Sequence, residues 1–301
     1  MDARQLRYFL TIVDAGGVTR AAEQLFVSQP SLSQALNTLE NELGVPLFHR
    51  VGRRLVLSEA GADLVGPART VLRDLDAARA VVDAHRGVRS GRLDLVSMPS
   101  PGIEPLASLV ASFSREHPGV TLSVGAAFTP EEVLDLVSDG SAEIGLVGAR
   151  EPLQARGLTV VELGEQPLVL VVARGSDAFS GRPEVTRDDL AGQPVVVSQR
   201  GSLMRWFVDD LGATGAPANI VVEVAHRTSI LPLVVAGVGH AVLPQAWRPL
   251  AERLGLDVLT LTPRSVLRIC LVHRDAALTP AATAFLAVAQ RRDGDPADLG
   301  T

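Results

Sequence analysis

Residues 18–54 read VTRAAEQLFVSQPSLSQALNTLENELGVPLFHRVGRR, and the fold turns on how this stretch is read. Ala21, Ala22 and Leu25 give a short first helix one apolar side. Ser28-Gln29-Pro30 then opens a second helix. The Ser28 hydroxyl suits the N-cap because it can accept one of the free backbone N–H groups there. Pro30 is tolerated because the first turn has no intrahelical partner for its missing N–H. At about 100° per residue, Leu32, Leu36, Leu39 and Leu43 share one face. The opposite face carries Pro30, Gln34, Asn37 and Asn41, with Ser33 at its flank. A helix buries its apolar stripe, so this one presents short amides and hydroxyls outward. Such groups can hydrogen-bond base edges in a major groove, where helix-turn-helix proteins dock their second helix by its N-terminal residues. The alternative is an ordinary surface helix, but its wet face would be rich in Glu, Lys or Arg. Here the outward face has no charge from Gln29 to Leu39.

Upstream, Leu6, Phe9, Leu10 and Val13 predict a covering helix that ends near Ala15-Gly16-Gly17, and Thr19 caps or starts the next. Downstream, Leu47-Phe48 and Leu55-Val56-Leu57 flank Val51-Gly52-Arg53-Arg54, the pattern of a β-hairpin wing with arginines at its tip. Between Leu43 and Ser58 there is no acid, while His49, Arg50, Arg53 and Arg54 cluster, which suits phosphate or minor-groove contact. The residues expected at DNA are therefore Thr19, Ser28, Gln29, Pro30, Ser31, Ser33, Gln34 and Asn37 from the helices, and Arg50, Arg53 and Arg54 from the wing.

The run from Arg7 to Arg50, RYFLTIVDAGGVTRAAEQLFVSQPSLSQALNTLENELGVPLFHR, followed by LVLSEAG, closely resembles the N-terminal pattern of the LysR-type transcriptional regulators. One position departs: family members commonly carry a basic residue where this chain has Gln34. That departure implies an amide-based preference at the corresponding contact.

The 301-residue chain is 47 % apolar, enough for two or three folding units and too apolar for disorder. Met1 to Leu10 mixes acid and base without an apolar run, so no secretory signal is expected, and no stretch reads as a membrane span. The single cysteine, Cys270, excludes an intramolecular disulfide and fits a reducing cytoplasm. The formal charge is −6, yet residues 1–90 hold 11 arginines against 10 acids, so the basic footprint is local to the reading helix. All 28 basic residues are arginine, as a GC-rich genome would give, so arginine at any one position carries little weight.

From Ser58 to about Arg86 one long helix is expected. Leu64, Ala68, Val71, Leu75, Ala78 and Val82 recur at coiled-coil spacing, and a lone stripe of this kind wants a partner helix or its own second domain. The resemblance implies the former, a linker helix that dimerises the DNA-binding units. Pro67 falls inside the pattern and Gly87 to Gly91 reads as a hinge.

Beyond Arg92 short apolar strands alternate with helices, an α/β texture. Residues 120–147 and 219–244 share one plan of strand, small-residue turn, helix, Gly-rich turn and strand, which suggests two lobes and a cleft. The expected organisation is mixed: a winged helix-turn-helix over 1–58, a linker helix and hinge over 59–90, and a two-lobed, periplasmic-binding-protein-like α/β domain over 91–301. Lobe I takes about 91–164 and 269–295, lobe II about 165–268.

Ligands of such lobes sit at strand carboxyl ends against helix N-termini. Four turns qualify, before helices expected at 103–115, 131–138, 203–211 and 230–236. Each taken alone is more often a plain N-cap. Taken together with the resemblance they give an effector site of Ser100, Pro101, Thr129, Ser202 and Thr228, with Arg150 or Arg227 to pair an anionic effector or simply to face solvent.

No G-x-S-x-G, P-loop, H-E-x-x-H or paired-cysteine pattern is present, and the six histidines show no ligand spacing. An enzyme reading therefore lacks a catalytic constellation, no cofactor is expected, and a solute-binding protein would have no use for residues 1–86. Redox-sensing relatives use a cysteine pair, which this chain lacks. The function expected is a ligand-responsive transcriptional regulator, with double-stranded DNA and a small anionic metabolite as partners. The resemblance adds assembly into homodimers or homotetramers and contact with RNA polymerase, with no membrane partner.

Overall fold

The computed structural model describes residues 1–51, 54–84, 91–200, 202–213, 215, 217–276 and 278–293. The chain begins with α1 (Ala3–Ala15). The Asp2 carboxylate accepts the Gln5 N–H at 2.8 Å while the Gln5 amide oxygen accepts that of Asp2 at 2.7 Å, a reciprocal cap. Gly16, at φ 64°, ends this helix in the left-handed conformation that glycine adopts without strain. Then follow α2 (Val18–Gln24), α3 (Gln29–Leu43), the hairpin β1 (Phe48–Val51) and β2 (Arg54–Leu57), and the long α4 (Glu59–Ala84). Phe9, Ile12, Leu32, Leu36, Leu39 and Leu47 close one core beneath the reading helix.

Two expectations about apolar stripes need correction. Leu43 is 37 % exposed, because α3 ends there at Gly44 and has run past the core. Ala68 is 1 % exposed within its own chain: the first half of α4 lies on the head, with Leu64, Val65 and Leu72 packed against the same core. Ala68 is thus spent intramolecularly and unavailable to a partner helix. Val71 is 49 % exposed and Ala78 is exposed, with Leu75 half-buried. The Val82 side chain and the hinge at 87–90 fall outside the described residues.

The α/β region runs β3 (Gly91–Ser97), α5 (Pro99–Ile103), α6 (Leu106–Glu116), β4 (Val120–Ala126), α7 (Pro130–Ser138), β5 (Ile144–Ala149), β6 (Leu158–Ala173), β7 (Glu184–Thr186), β8 (Pro194–Ser198), α8 (Leu203–Ala213), β9 (Asn219–Val224), α9 (Ile230–Val235), β10 (Ala241–Pro244), α10 (Arg248–Arg253), β11 (Leu256–Thr262), β12 (Val266–Arg274) and α11 (Pro280–Asp293). The single helix expected at 103–115 is broken instead into α5 and α6, since Pro105 has no N–H to continue a helix and restricts Glu104 before it.

The strands follow the order β4-β3-β5-β12-β6-β11-β7, with β10 also on β6 and a separate parallel pair β8-β9 joined to it through the Val195–His240 bridge. Lobe I is cored by Leu95, Phe113, Leu146 and Phe285, lobe II by Leu170, Val197, Phe207 and Val242. The echo seen in sequence is β4-α7-β5 in one lobe and β9-α9-β10 in the other. One strand belongs to both lobes: β6 pairs β12 from Leu158 to Pro167, then β10 and β11 from Leu168 to Ala173, with a register irregularity at Ile269/Cys270 opposite. At the end of β12, Arg274 donates to the Thr70 hydroxyl of α4 at 3.2 Å.

Candidate DNA-reading head and effector cleft

On α3 the leucines Leu32, Leu36 and Leu39 are buried, and Gln29, Pro30, Ser31, Gln34 and Asn37 are exposed, with Ser33 half-buried at the flank. The Ser28 hydroxyl accepts the Ser31 N–H at 3.3 Å and lies 2.7 Å from the Ser31 hydroxyl, so this pair caps the helix while facing outward. Thr19 is exposed in the first turn of α2, whose N-cap is Gly17. Strands β1 and β2 pair Phe48 with Leu57 and Val51 with Arg54, which places the backbone of Arg50 and Arg54 in the wing. Arg53 and the side chains of Arg50 and Arg54 lie outside the described residues.

Two residues of the head were not singled out in the sequence. Phe26, in the turn between α2 and α3, is 96 % exposed and at φ 54° the only non-glycine residue of positive φ among the described residues. Glu40 looks like a solvated position, yet its carboxylate accepts the N–H groups of Leu47 at 2.7 Å and Phe48 at 3.2 Å.

In the effector domain, Ser100 on α5 of lobe I is 1 % exposed, and Arg227, before α9 of lobe II, is 7 % exposed. The Arg227 guanidinium donates to Ser100 Oγ at 2.8 Å, and that oxygen lies 3.8 Å from Met204 Sδ. No carboxylate pairs with Arg227 among the described residues, and burial alone pushes its pKa down to about 10. A buried cation held by a neutral hydroxyl is costly unless an anion joins it. Nearby, Gln166 Nε2 donates to the Glu104 carbonyl at 2.8 Å while its Oε1, and the Nε1 of buried Trp247, have no partner among the described residues. Neither was singled out in the sequence, for neither belongs to one of the four turns expected around the cleft.

The other expected effector residues are placed differently. Pro101 is buried beside Ser100. Thr129 caps α7 by accepting the Glu132 N–H at 3.2 Å. Ser202 is buried, hydrogen-bonded to Ser198 Oγ, and accepts the Arg205 N–H at 3.1 Å, so it serves the start of α8. Thr228 is exposed. Arg150 lies over the ring of Trp206 on α8, 3.6 Å from its centroid, instead of turning into the cleft.

Cys270 is buried in β12, where desolvation raises its thiol pKa to about 11 and keeps it protonated. Among the described residues no helix is long and apolar enough to cross a membrane, and no cluster of His, Cys, Asp and Glu could hold a metal ion.

Comparison with known proteins agrees with this anatomy. Residues 3–62 match the family of bacterial regulatory helix-turn-helix proteins, lysR family, and residues 86–294 match the LysR substrate binding domain. The HTH-type transcriptional regulator IlvR of Caulobacter vibrioides is 31 % identical over 91 % of this chain and 92 % of its own length. Full-length CbnR complexed with its target DNA superimposes with a TM-score of 0.71 at 24 % identity, covering 97 % of this chain and 100 % of that one. A full-length OxyR variant from Pseudomonas aeruginosa gives 0.76 at 21 % identity, over 100 % of this chain and 96 % of that one. A helix that turns amides outward, a basic hairpin beside it and a two-lobed domain with a buried cation at its seam are thus the parts of a transcription regulator and not of an enzyme, and the chain belongs to the LysR family.

Proposed function

We propose that this regulator senses a small carboxylate-bearing metabolite bound in the cleft between its lobes, with Arg227 and Ser100 as the anion-binding pair. The observation that carries this reading is the Arg227 guanidinium: buried, charged at neutral pH, and answered among the described residues only by a hydroxyl from the opposite lobe. An incoming carboxylate supplies the missing countercharge and two acceptor oxygens suited to a guanidinium fork. Gln34 and Asn37 read bases from the outward face of α3, while Thr19, Ser28, Gln29, Pro30, Ser31 and Ser33 line that approach, and Arg50, Arg53 and Arg54 of the wing take phosphates or the minor groove.

Subunits pair through the face of α4 that the head leaves open, Val71, Leu75 and Ala78. Further support for a homo-oligomer comes from two open apolar strand edges, Val124 on β4 and Ile220 and Val221 on β9, which are 48 %, 38 % and 41 % exposed. Promoter-bound assemblies of this kind act in the cytoplasm and on RNA polymerase.

A thermal-shift series tests the cleft: acetate, benzoate, pyruvate, succinate and citrate against the wild-type chain and Arg227→Met. Stabilisation by at least one carboxylate, absent in the variant, is expected, since a ligand that binds only the folded state raises its stability. An identical response in both chains would place the anion elsewhere.

A further inference from the structure

We propose that Glu40, Ser58 and Gly61 are positioning residues that fix the angle at which α4 leaves the reading head, and so set the half-site separation that paired heads can read. All three converge on the backbone of Pro46 and Leu47. From the reading helix, the Glu40 carboxylate accepts the N–H of Leu47 and of Phe48, at 2.7 and 3.2 Å. From the start of α4, the Ser58 hydroxyl donates to the Pro46 carbonyl at 2.7 Å, and the Ser58 N–H donates to the Leu47 carbonyl at 2.9 Å. The same hydroxyl accepts the Gly61 N–H at 2.9 Å, so Ser58 is at once the N-cap of α4 and its tie to the turn.

Gly61 completes the joint by what it lacks. A Cβ there would overlap the Leu47 carbonyl oxygen and come within 3.0 Å of the Leu47 carbonyl carbon, both rigid backbone atoms. Only glycine lets the first turn of α4 close onto that peptide.

Leu47 is itself buried in the head's core, and Phe48 begins the wing by pairing with Leu57. Two residues of backbone therefore carry the registry of three parts: the helix that reads bases, the hairpin that carries the arginines, and the helix proposed to join subunits. Each bond is short and directional, and none involves a group that faces the duplex. Loosening them leaves the reading surface of α3 intact and widens the range of directions in which α4 departs, leaving only the packing of Leu64, Val65, Ala68 and Leu72 and the Arg69–Asp14 pair to hold it. The consequence for spacing rests on the reading that α4 pairs the subunits.

The test uses the full-length chain and duplexes that the wild type selects from a random-sequence pool. Binding is measured to one half-site, and to two inverted half-sites whose centres are moved in single base pairs about one helical turn. The wild type is expected to discriminate roughly tenfold over a two-base-pair shift, whereas Glu40→Gln and Ser58→Ala discriminate less than about threefold and keep single half-site affinity within about twofold. Gly61→Ala is expected to move the preferred separation. An unchanged spacing profile in all three variants would overturn the proposal, as would an equal loss on single and paired half-sites, which is the signature of a merely structural role.

Pulsed EPR separates the joint from the pairing. Labels at Asn41→Cys and Asp74→Cys, in a Cys270→Ser background and diluted with unlabelled chain, report the angle between α3 and α4. A narrow wild-type distance distribution that broadens in Glu40→Gln and Ser58→Ala supports the joint. A distribution that stays narrow in both overturns it. A wild type that sediments as a monomer and shows no spacing preference overturns the pairing through α4, and the EPR result then decides the joint alone.

Discussion

The guanidinium carbon of Arg150 lies 3.6 Å from the ring centroid of Trp206, so a side chain at the end of β5 in lobe I rests on α8 of lobe II. The contact spans the mouth of the cleft whose interior is spanned by Ser100 and Arg227. The two bridges answer to different conditions. On the proposed effector site, an anion would compete for the inner one and leave the outer one alone.

Arg150→Ala is expected to cost about 0.5–1 kcal/mol, the contribution of a cation over an aromatic face at a partly exposed site. It should shift the emission of Trp206, one of two tryptophans in the chain, and change carboxylate affinity by no more than about fivefold. Denaturant melts and fluorescence titration check this. A loss of anion response as complete as in Arg227→Met would restore Arg150 to the effector's contacts.

Arg227 gives a pH dependence of defined sign. Burial lowers its folded pKa to about 10, below the unfolded value, so between the two the unfolded chain holds more protons and this group's contribution to stability rises with pH. Below pH 10 both states are charged and the desolvation cost, on the order of 3 kcal/mol, is felt in full. Arg227→Met is therefore expected to melt no lower than the wild type without ligand at pH 7. Carboxylate binding to the wild type should fade above about pH 10 as the guanidinium loses its proton. Calorimetry at pH 7 and 10.5 measures both, and undiminished binding at the higher pH would show that the guanidinium keeps its proton there, contradicting the lowered pKa.

His240 works in the other pH range. It is 7 % exposed, its ring stacks edge-on against Phe179 at 5.0 Å, its Nδ1 has no partner among the described residues, and burial lowers its pKa from 6.5. Above pH 6.5 it is neutral in both states and its packing is fully retained. As the pH falls from there toward the lower folded value the unfolded state binds the proton first, so stability declines. His240→Phe should flatten the stability profile between pH 7 and 5 in urea titrations. A slope equal to that of the wild type would assign the acid sensitivity to other groups.

At the reading head, Gln34→Ala and Asn37→Ala are each expected to lose about 1–3 kcal/mol at the cognate base and little on random duplex. Competition binding at fixed salt distinguishes the two. Arg53→Ala with Arg54→Ala should instead weaken binding on every sequence and reduce the slope of log affinity against log salt. Equal losses of specificity and slope in both sets would deny the division between reading and anchoring.

Val71→Asp is expected to impair dimerisation, because this side chain is about half exposed on the face of α4 that the head leaves open. Ala68→Asp should unfold the head instead, placing a charge in its sealed core. Sedimentation and far-ultraviolet circular dichroism separate these outcomes. A Val71→Asp chain that sediments with the wild type's mass would remove α4 from the interface.

The reading head was legible because its signals are local. Ser28 as a cap, Pro30 in the first turn and leucines at Leu32, Leu36 and Leu39 all act within one helix, and the structure keeps each in that role. What periodicity does not contain is the identity of the surface that covers a stripe. Leu64 and Ala68 repeat like a coiled coil and are taken by the head, since α4 starts tangent to Leu47. The cleft divides in the same way. Arg227 stood out as a residue type, but its bond to Ser100 joins positions 127 residues apart, and only the packing of two lobes makes that contact. Glu40 hid for a simpler reason: a carboxylate on an amphipathic helix looks solvated until the chain turns back at Leu47 to use it.

The passage of β6 through both lobes has a mechanical consequence. A continuous sixteen-residue strand crosses from one lobe to the other, so any opening of the halves there must bend or twist the strand itself. A change in the relative placement of the lobes would twist this shared strand, whose ladder slips opposite Ile269/Cys270. The neighbouring strand of that ladder ends at Arg274, with its guanidinium on Thr70 of the helix that carries the DNA-reading head.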